Sequence, residues 1–162
     1  MKKGEKGILI FIAVLIVVLI GVKGWMGQLN VKNDPGLPFY STASKDVSRK
    51  ALEIYKAQDC RSCHALWGTR DMMQHVPAPA LDGIGAIRDE KWLFNYFSAQ
   101  DPGTILPSRL KKEYRMPSYA FLPEEDRRVL AKYMSSLKVK DWYLKETKKS
   151  EYEKLTGKKF QP

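Results

Sequence analysis

Two cysteines and a histidine within one five-residue segment carry the clearest chemistry in this chain. The segment reads Cys60-Arg61-Ser62-Cys63-His64 and holds both cysteines and one of the two histidines among 162 residues. On a helical turn, positions i, i+3 and i+4 lie on one face, so both thiols and the imidazole project to the same side. This C-x-x-C-H spacing is the attachment signature of c-type haem. It predicts thioether bonds from Cys60 and Cys63 and an iron ligand in His64.

Three other chemistries fit the same motif less well. A disulfide between Cys60 and Cys63 would close a very small loop and stabilise little. A zinc site needs four ligands, and His75 is the only other histidine. A thioredoxin-like dithiol belongs in a βαβ setting, which the pattern does not show. The motif therefore predicts one covalently attached haem c as the cofactor.

The second axial ligand has to come from the opposite face of the haem. Met116, in the run Arg115-Met116-Pro117, is the first candidate because it lies far along the chain from His64. The proline that follows it removes a backbone donor and stiffens the loop. His75 is close to His64 in sequence, which leaves little chain to pass around the porphyrin. A bis-histidine site with His75 and an open sixth position are the alternatives.

Helical periodicity and capping residues predict an all-α domain over residues 43–138. The predicted helices run from Ser44 to about Gln58, from Asp89 or Glu90 to before Asp101, and from Pro123 to about Leu137. Long loops at 66–88 and 102–122 join them, and no strand pattern of useful length appears. So short a domain has a thin core, and we expect the haem to supply much of its apolar interior.

The N-terminal segment predicts an uncleaved membrane anchor over residues 1–27. An uncharged run from Gly7 to Val22 follows three lysines and precedes Lys23 and Trp25. Basic residues before such a run keep the N-terminus in the cytoplasm. We therefore expect a single-pass protein of the cytoplasmic membrane, with a linker at 28–42 and its haem domain on the periplasmic side. A cleaved signal peptide is the alternative.

The charge distribution argues against a nucleic-acid partner. The net charge is +10, yet the excess of Lys and Arg lies at the two ends of the chain and not on the central domain. Basic ends suit anionic lipid headgroups or an acidic redox partner. The loop Arg109 to Arg115 and the basic C-terminal extension 139–162 are predicted docking surfaces, with a helix at Lys145 to Leu155 on a partner. A solvated basic face is the alternative for the loop.

The arrangement resembles class I cytochromes c. The resemblance rests on the helix leading into the haem motif, the segment Pro79-Ala80-Leu81, the Arg115-Met116-Pro117 loop and the terminal helix around Leu130 to Met134. It implies that the first and last helices cross and pack, and that Met116 ligates iron. It also implies that the carbonyl of Pro79 orients His64.

A narrower resemblance is to membrane-anchored cytochrome c subunits of respiratory complexes, such as the small subunit of nitric oxide reductase. Cys63, His64, Leu66 and Gly68 follow the similar run of that subunit, whereas the segment after Gly68 differs. The extension Lys138 to Pro162 has no counterpart there. This resemblance implies a subunit or dedicated carrier of a respiratory or other electron-transport complex.

The function expected from these features is electron transfer, and not an enzyme activity of the chain alone. Histidine and methionine would hold the iron six-coordinate, and methionine ligation raises the reduction potential. One alternative is a haem-based ligand sensor or enzyme with an open or His75-ligated distal site. Another is a mainly structural haem subunit.

Overall fold

The computed structural model describes residues 7, 11–24, 36–73 and 76–161. It divides into two units, Met1–Gly36 and Leu37–Pro162. In the first unit, residues 11–24 are helical and are labelled α1. Within the described stretches, none of the helices combines the length and the apolar character that crossing a membrane requires. The flanking Lys2, Lys3, Lys6 and Trp25, and the linker up to residue 35, lie outside the described residues.

The second unit is mostly helical, as the sequence predicts. Its elements are β1 (Phe39–Ser41), α2 (Lys45–Ala57), α3 (Glu90–Ser98), α4 (Glu124–Ser136), β2 (Leu137–Val139) and α5 (Asp141–Thr156). Short 3-10 turns lie at Cys60–Ser62, Ile84–Ala86, Pro102–Thr104 and Lys112–Tyr114. The three predicted helices of the domain correspond to α2, α3 and α4.

Local capping sets where these helices begin. The Ser44 side chain accepts a hydrogen bond from the Val47 N–H at the start of α2. Asp89 accepts from the Trp92 N–H at 2.7 Å and caps α3. Three acidic residues occupy the first turn of α4, where they complement the helix dipole.

The core forms where α2, α3 and α4 pack together. Its buried members on these three helices are Ala51, Tyr55, Leu93, Phe97, Leu130, Ala131, Tyr133 and Met134. Ala51 on α2 and Ala131 on α4 have no exposed surface, and side chains this small let helices approach closely. The contact between α2 and α4 is the packing of first and last helices that the resemblance implies.

The prediction that residues 28–42 form a linker extends too far. Strand β1 pairs antiparallel with β2, with Phe39 opposite Val139 and Ser41 opposite Leu137. The compact unit accordingly begins at Leu37. Each strand has three residues, which is too short for an alternating pattern to be visible in the sequence. The expectation of no strands was wrong for the same reason.

The structure also corrects the predicted boundary at residue 138, which divides the haem domain from a C-terminal extension. Residues 139–162 belong to the same compact unit, and the predicted helix at Lys145 to Leu155 is part of α5. The helix packs on its own domain: the Tyr143 ring meets Phe39 edge-on at 5.4 Å, and Thr147 is buried. Tyr143 therefore serves intramolecular packing, whereas Trp142 is 51% exposed.

Gly85 marks the closest approach between the 84–86 turn and the end of α4. A Cβ at this position would overlap the carbonyl oxygen of Ser135 and approach that of Leu137 to 2.9 Å. The Gly85 carbonyl accepts a hydrogen bond from the Lys138 ammonium. Backbone lies on both sides of the contact, so neither side can rotate away from an added methyl group.

We predict that Gly85→Ala lowers the free energy of unfolding by about 3 kcal/mol, because overpacking against backbone forces the turn away from α4. Denaturant unfolding of the full chain checks this. Gly103→Ala is the matched control, since its Cβ would meet only the Asp101 side chain. Equal losses of stability in the two variants would contradict the prediction.

Candidate haem site

A cleft of about 280 Å³ brings together all five residues that the sequence singles out. Cys60, Cys63, His64, Pro79 and Met116 all line it. A smaller cavity of about 30 Å³ shares Cys60, His64 and Met116 and is closed by core residues of α2 and α4. Residues of the motif and Met116 thus line both cavities. His75, the alternative ligand, lies outside the described residues.

The motif occupies a helical turn, as its spacing predicts. Asp59 takes a left-handed conformation, with φ of 49°, and breaks α2 before the turn at Cys60–Ser62. The His64 N–H donates to the Cys60 carbonyl at 2.9 Å, which closes one α-helical turn across the motif. Both cysteines are half-buried, and no disulfide joins them. This is the arrangement in which both thiols and the imidazole share a face.

The imidazole of His64 is fixed by one hydrogen bond. Its Nδ1 lies 2.8 Å from the carbonyl oxygen of Pro79. A carbonyl only accepts, so Nδ1 carries the proton, and Nε2 of the neutral ring has the lone pair available. Burial lowers the pKa of His64, although the Pro79 contact opposes that shift. The neutral ring, which is the form that binds metals, is thus favoured.

Hydrogen bonds also fix the backbone at His64 and at the residue after it. The Tyr55 hydroxyl, from α2, donates to the His64 carbonyl at 3.1 Å. The Leu81 N–H donates to the Ala65 carbonyl at 2.9 Å, which pairs the segment after the motif with the segment after Pro79. These bonds fix the position of the imidazole relative to the Pro79 carbonyl that accepts from it.

Met116 lies on a loop with its own fixed points. Just before it, the Arg115 guanidinium donates to the Leu110 carbonyl at 2.8 Å. Just after it, the Ser118 hydroxyl donates to the Ala99 carbonyl at the end of α3, also at 2.8 Å. The Met116 side chain is half-buried and packs against the core cluster. Its thioether is therefore presented to the cleft by a braced loop.

Comparison with protein families bears on this site directly. The family model described as Cytochrome c matches residues 48–138. The chain belongs to the cytochrome c family. The matched region runs from α2 to β2 and contains every residue of the cleft discussed above. No curated protein and no solved structure matches the chain.

Membership of the cytochrome c family implies a covalently bound haem c and a role in electron transfer. The donor set of the cleft fits this group, because it holds two thiols, an imidazole and a thioether. The lining between them is largely apolar and includes Leu81, Ile84, Trp92, Leu93, Phe97 and Leu106. In the part of the chain that the structure describes, no three His, Cys, Asp or Glu side chains converge as a metal site.

The Cys60 thiol of the cytochrome lies in an apolar setting. Burial raises the pKa of Cys60, and a hydrogen bond from the Tyr119 hydroxyl opposes the shift in part. Tyr119 is itself buried against Phe97, with ring centroids 6.4 Å apart. Burial therefore favours the neutral form of the thiol, whereas the Tyr119 hydroxyl favours the thiolate.

Asp82 is a site residue that the sequence did not reveal. It is 7% exposed, and its carboxylate accepts hydrogen bonds from the backbone N–H groups of Trp67 and Gly68. Both of these residues have positive φ, at 56° and 66°. The carboxylate therefore holds a tight turn three residues after His64. A single aspartate in Leu81-Asp82-Gly83 has no periodic or motif signal that could have identified it.

We predict that Asp82→Asn lowers the free energy of unfolding of the haem-loaded cytochrome by about 2 kcal/mol, because the amide cannot accept from both N–H groups. Denaturant unfolding gives the measurement. Asp71→Asn is the matched control, since Asp71 accepts only one exposed backbone bond, from Met73. A loss at Asp82 no larger than at Asp71 would contradict the role assigned to this carboxylate.

Proposed function

We propose that the cytochrome is a monohaem electron carrier in which His64 and Met116 are the axial ligands. One observation carries this proposal: Nδ1 of His64 is committed to the Pro79 carbonyl at 2.8 Å, in a cleft that Met116 also lines. The ring nitrogen that remains is thus the one that can bind iron, while a thioether lines the same cleft. The thiols of Cys60 and Cys63 supply the two covalent attachments.

The bound haem supplies an iron that alternates between two oxidation states. The residues of the chain then have separate tasks. His64 and Met116 would both hold the iron and leave no position for a substrate, which supports a carrier instead of an enzyme or sensor. Pro79 keeps the imidazole in one tautomer and orientation. The braced loop around Met116 holds the weaker thioether ligand in place.

The lining of the cleft supports a high reduction potential. Trp92, Phe97 and Tyr119 line it, and Trp92 stacks on Tyr96 with centroids 5.1 Å apart. Desolvation raises the pKa of Tyr96 to about 12, which reflects how little water reaches this wall. Poor solvation disfavours the more highly charged oxidised state, and methionine ligation acts in the same direction.

A second part of the proposal concerns the location of the cytochrome at a membrane. We propose that the chain is anchored in the cytoplasmic membrane by its N-terminal segment, with the haem domain on the periplasmic side. The uncharged run from Gly7 to Val22, with lysines before it, supports this. So does the helical conformation of residues 11–24, in which Phe11, Val17 and Ile20 each expose about two thirds of their surface. Apolar side chains exposed to that extent indicate a surface that another medium covers.

We propose that the electrons pass to a respiratory or other electron-transport complex. We also propose that the cytochrome contacts an acidic redox partner. Lys111, Lys112 and Arg115 are exposed on the loop that leads to Met116. Positive charge beside the electron-exchange site steers an acidic partner toward it. Anchoring in the membrane raises the effective concentration near a membrane-bound partner.

We predict that Cys60→Ala and Cys63→Ala each remove one thioether bond and lower the yield of haem-containing protein. In the unsubstituted chain, haem-peroxidase staining after denaturing electrophoresis should mark a band near 18.6 kDa if the chain is uncleaved. Ser62→Ala, between the two cysteines, is the control and should keep the stain. Extraction of the haem from the unsubstituted chain by acidified organic solvent would exclude covalent attachment.

We predict that Met116→Ala abolishes the weak near-infrared absorption of sulfur-to-iron charge transfer in the oxidised protein and lowers the reduction potential. The measurement is an optical titration against electrode potential. Met72→Ala, whose side chain is 98% exposed, is the matched control and should leave both unchanged. Persistence of the band in Met116→Ala would exclude this ligand, and a change in His75→Ala instead would favour the bis-histidine alternative.

A further inference from the structure

The C-terminal helix α5 lies beyond the region that matches the cytochrome c family, yet it lines the cleft. The family match ends at residue 138, and α5 begins at Asp141. Its residues Glu151, Lys154 and Leu155 face the same cleft as His64 and Met116. The cleft thus has one wall that the family region does not provide.

The first fixed point of this wall is an ion pair. The Arg88 guanidinium lies 3.1 Å from the Glu151 carboxylate, and the two side chains are only 24% and 13% exposed. Arg88 also lies over the Trp92 ring, 4.8 Å from its centroid, and Trp92 is itself a cleft residue. A pair this sheltered is screened less by solvent than an exposed one, and loss of one partner strands the other charge.

The second fixed point lies at the end of the helix. The Arg109 guanidinium donates to the Lys154 carbonyl at 3.1 Å, which satisfies one of the last carbonyls of α5. Gly157 ends the helix in a left-handed conformation, with φ of 69°, and a Cβ there would lie 3.2 Å from Nε of Arg109. Arg109 stands on the loop that leads to Met116.

These two contacts join α5 to both sides of the site. Arg88 follows the segment that holds Pro79, the acceptor for His64, and Arg109 precedes Met116. We propose that α5 is a built-in wall of the cofactor pocket, held by Arg88–Glu151 and Arg109–Lys154, which restricts the access of external ligands to the iron. This inference rests on the proposed function, since it takes the iron to lie between His64 and Met116.

Two substitutions in the full-length, haem-loaded protein test this role. Glu151→Lys places a second cation against Arg88, whereas Glu151→Gln would leave an oxygen for it to bind. Arg109→Gln removes the donor to Lys154. The controls make the same changes of charge at exposed positions: Glu146→Lys, which breaks only an exposed 3.7 Å pair with Lys149, and Lys159→Gln.

Two rates are measured: hydrogen–deuterium exchange of the α5 amides, and binding of imidazole to the oxidised iron in place of the Met116 thioether, followed by absorption. We expect each test variant to speed both rates by about tenfold, and each control to change them by less than about twofold. If Glu151→Lys does not accumulate, Glu151→Ala removes the carboxylate without adding a cation, and the same direction is expected.

Faster exchange of α5 with unchanged imidazole binding would overturn the proposal, because the helix would then be packing alone. Unchanged exchange in both variants would overturn it as well, since the contacts would not hold the wall. Failure of the proposed function has a different signature: unsubstituted protein without covalent haem or without the sulfur-to-iron absorption. The exchange rates of α5 do not depend on that outcome.

Discussion

The hydrogen bond from Nδ1 of His64 to the Pro79 carbonyl constrains much of the surrounding structure. It joins two separate segments of the chain, and it can orient the imidazole only if both segments keep fixed positions relative to each other. The Leu81–Ala65 backbone bond and the Asp82 carboxylate fix those positions. Because Asp82 binds two successive N–H groups, the chain turns back immediately after His64. A buried carboxylate is tolerated here since it is satisfied by those donors.

The same constraint explains which parts of the site could be predicted. The spacing of Cys60, Cys63 and His64 is a local property of one helical turn, so it is visible in sequence. Helix starts at Ser44 and Asp89 are local for the same reason, since the capping side chain and the backbone N–H that donates to it are three residues apart. Both sets of predictions rest on interactions that the chain makes with its own near neighbours.

The missed features are all long-range. The contacts of Asp82, the bond from the Tyr55 hydroxyl to His64, and the Arg88–Glu151 pair join residues that no periodicity relates. The pairing of β1 with β2 is equally invisible, because a three-residue strand has no pattern of its own and depends entirely on its partner. The packing of α5 is also invisible in the sequence, because the helix is rich in lysine and yet lies against the domain through a few contacts.

Burial shifts the pKa values of several polar groups that line the cleft. Burial lowers the pKa of His64 and raises the pKa of the Cys60 thiol, so it favours the neutral form of both groups in the chain without its cofactor. It also raises the pKa of Glu151, although Arg88 acts in the opposite direction. An ionised Glu151 therefore costs desolvation energy that its partner offsets only in part. Pairing with Arg88 therefore acts beside the packing of Tyr143 on Phe39 in holding α5 to the domain, and Thr147 is the buried residue of this helix among those described. The helix thus closes one side of the cleft, whereas α2, α3 and α4 form the core behind it.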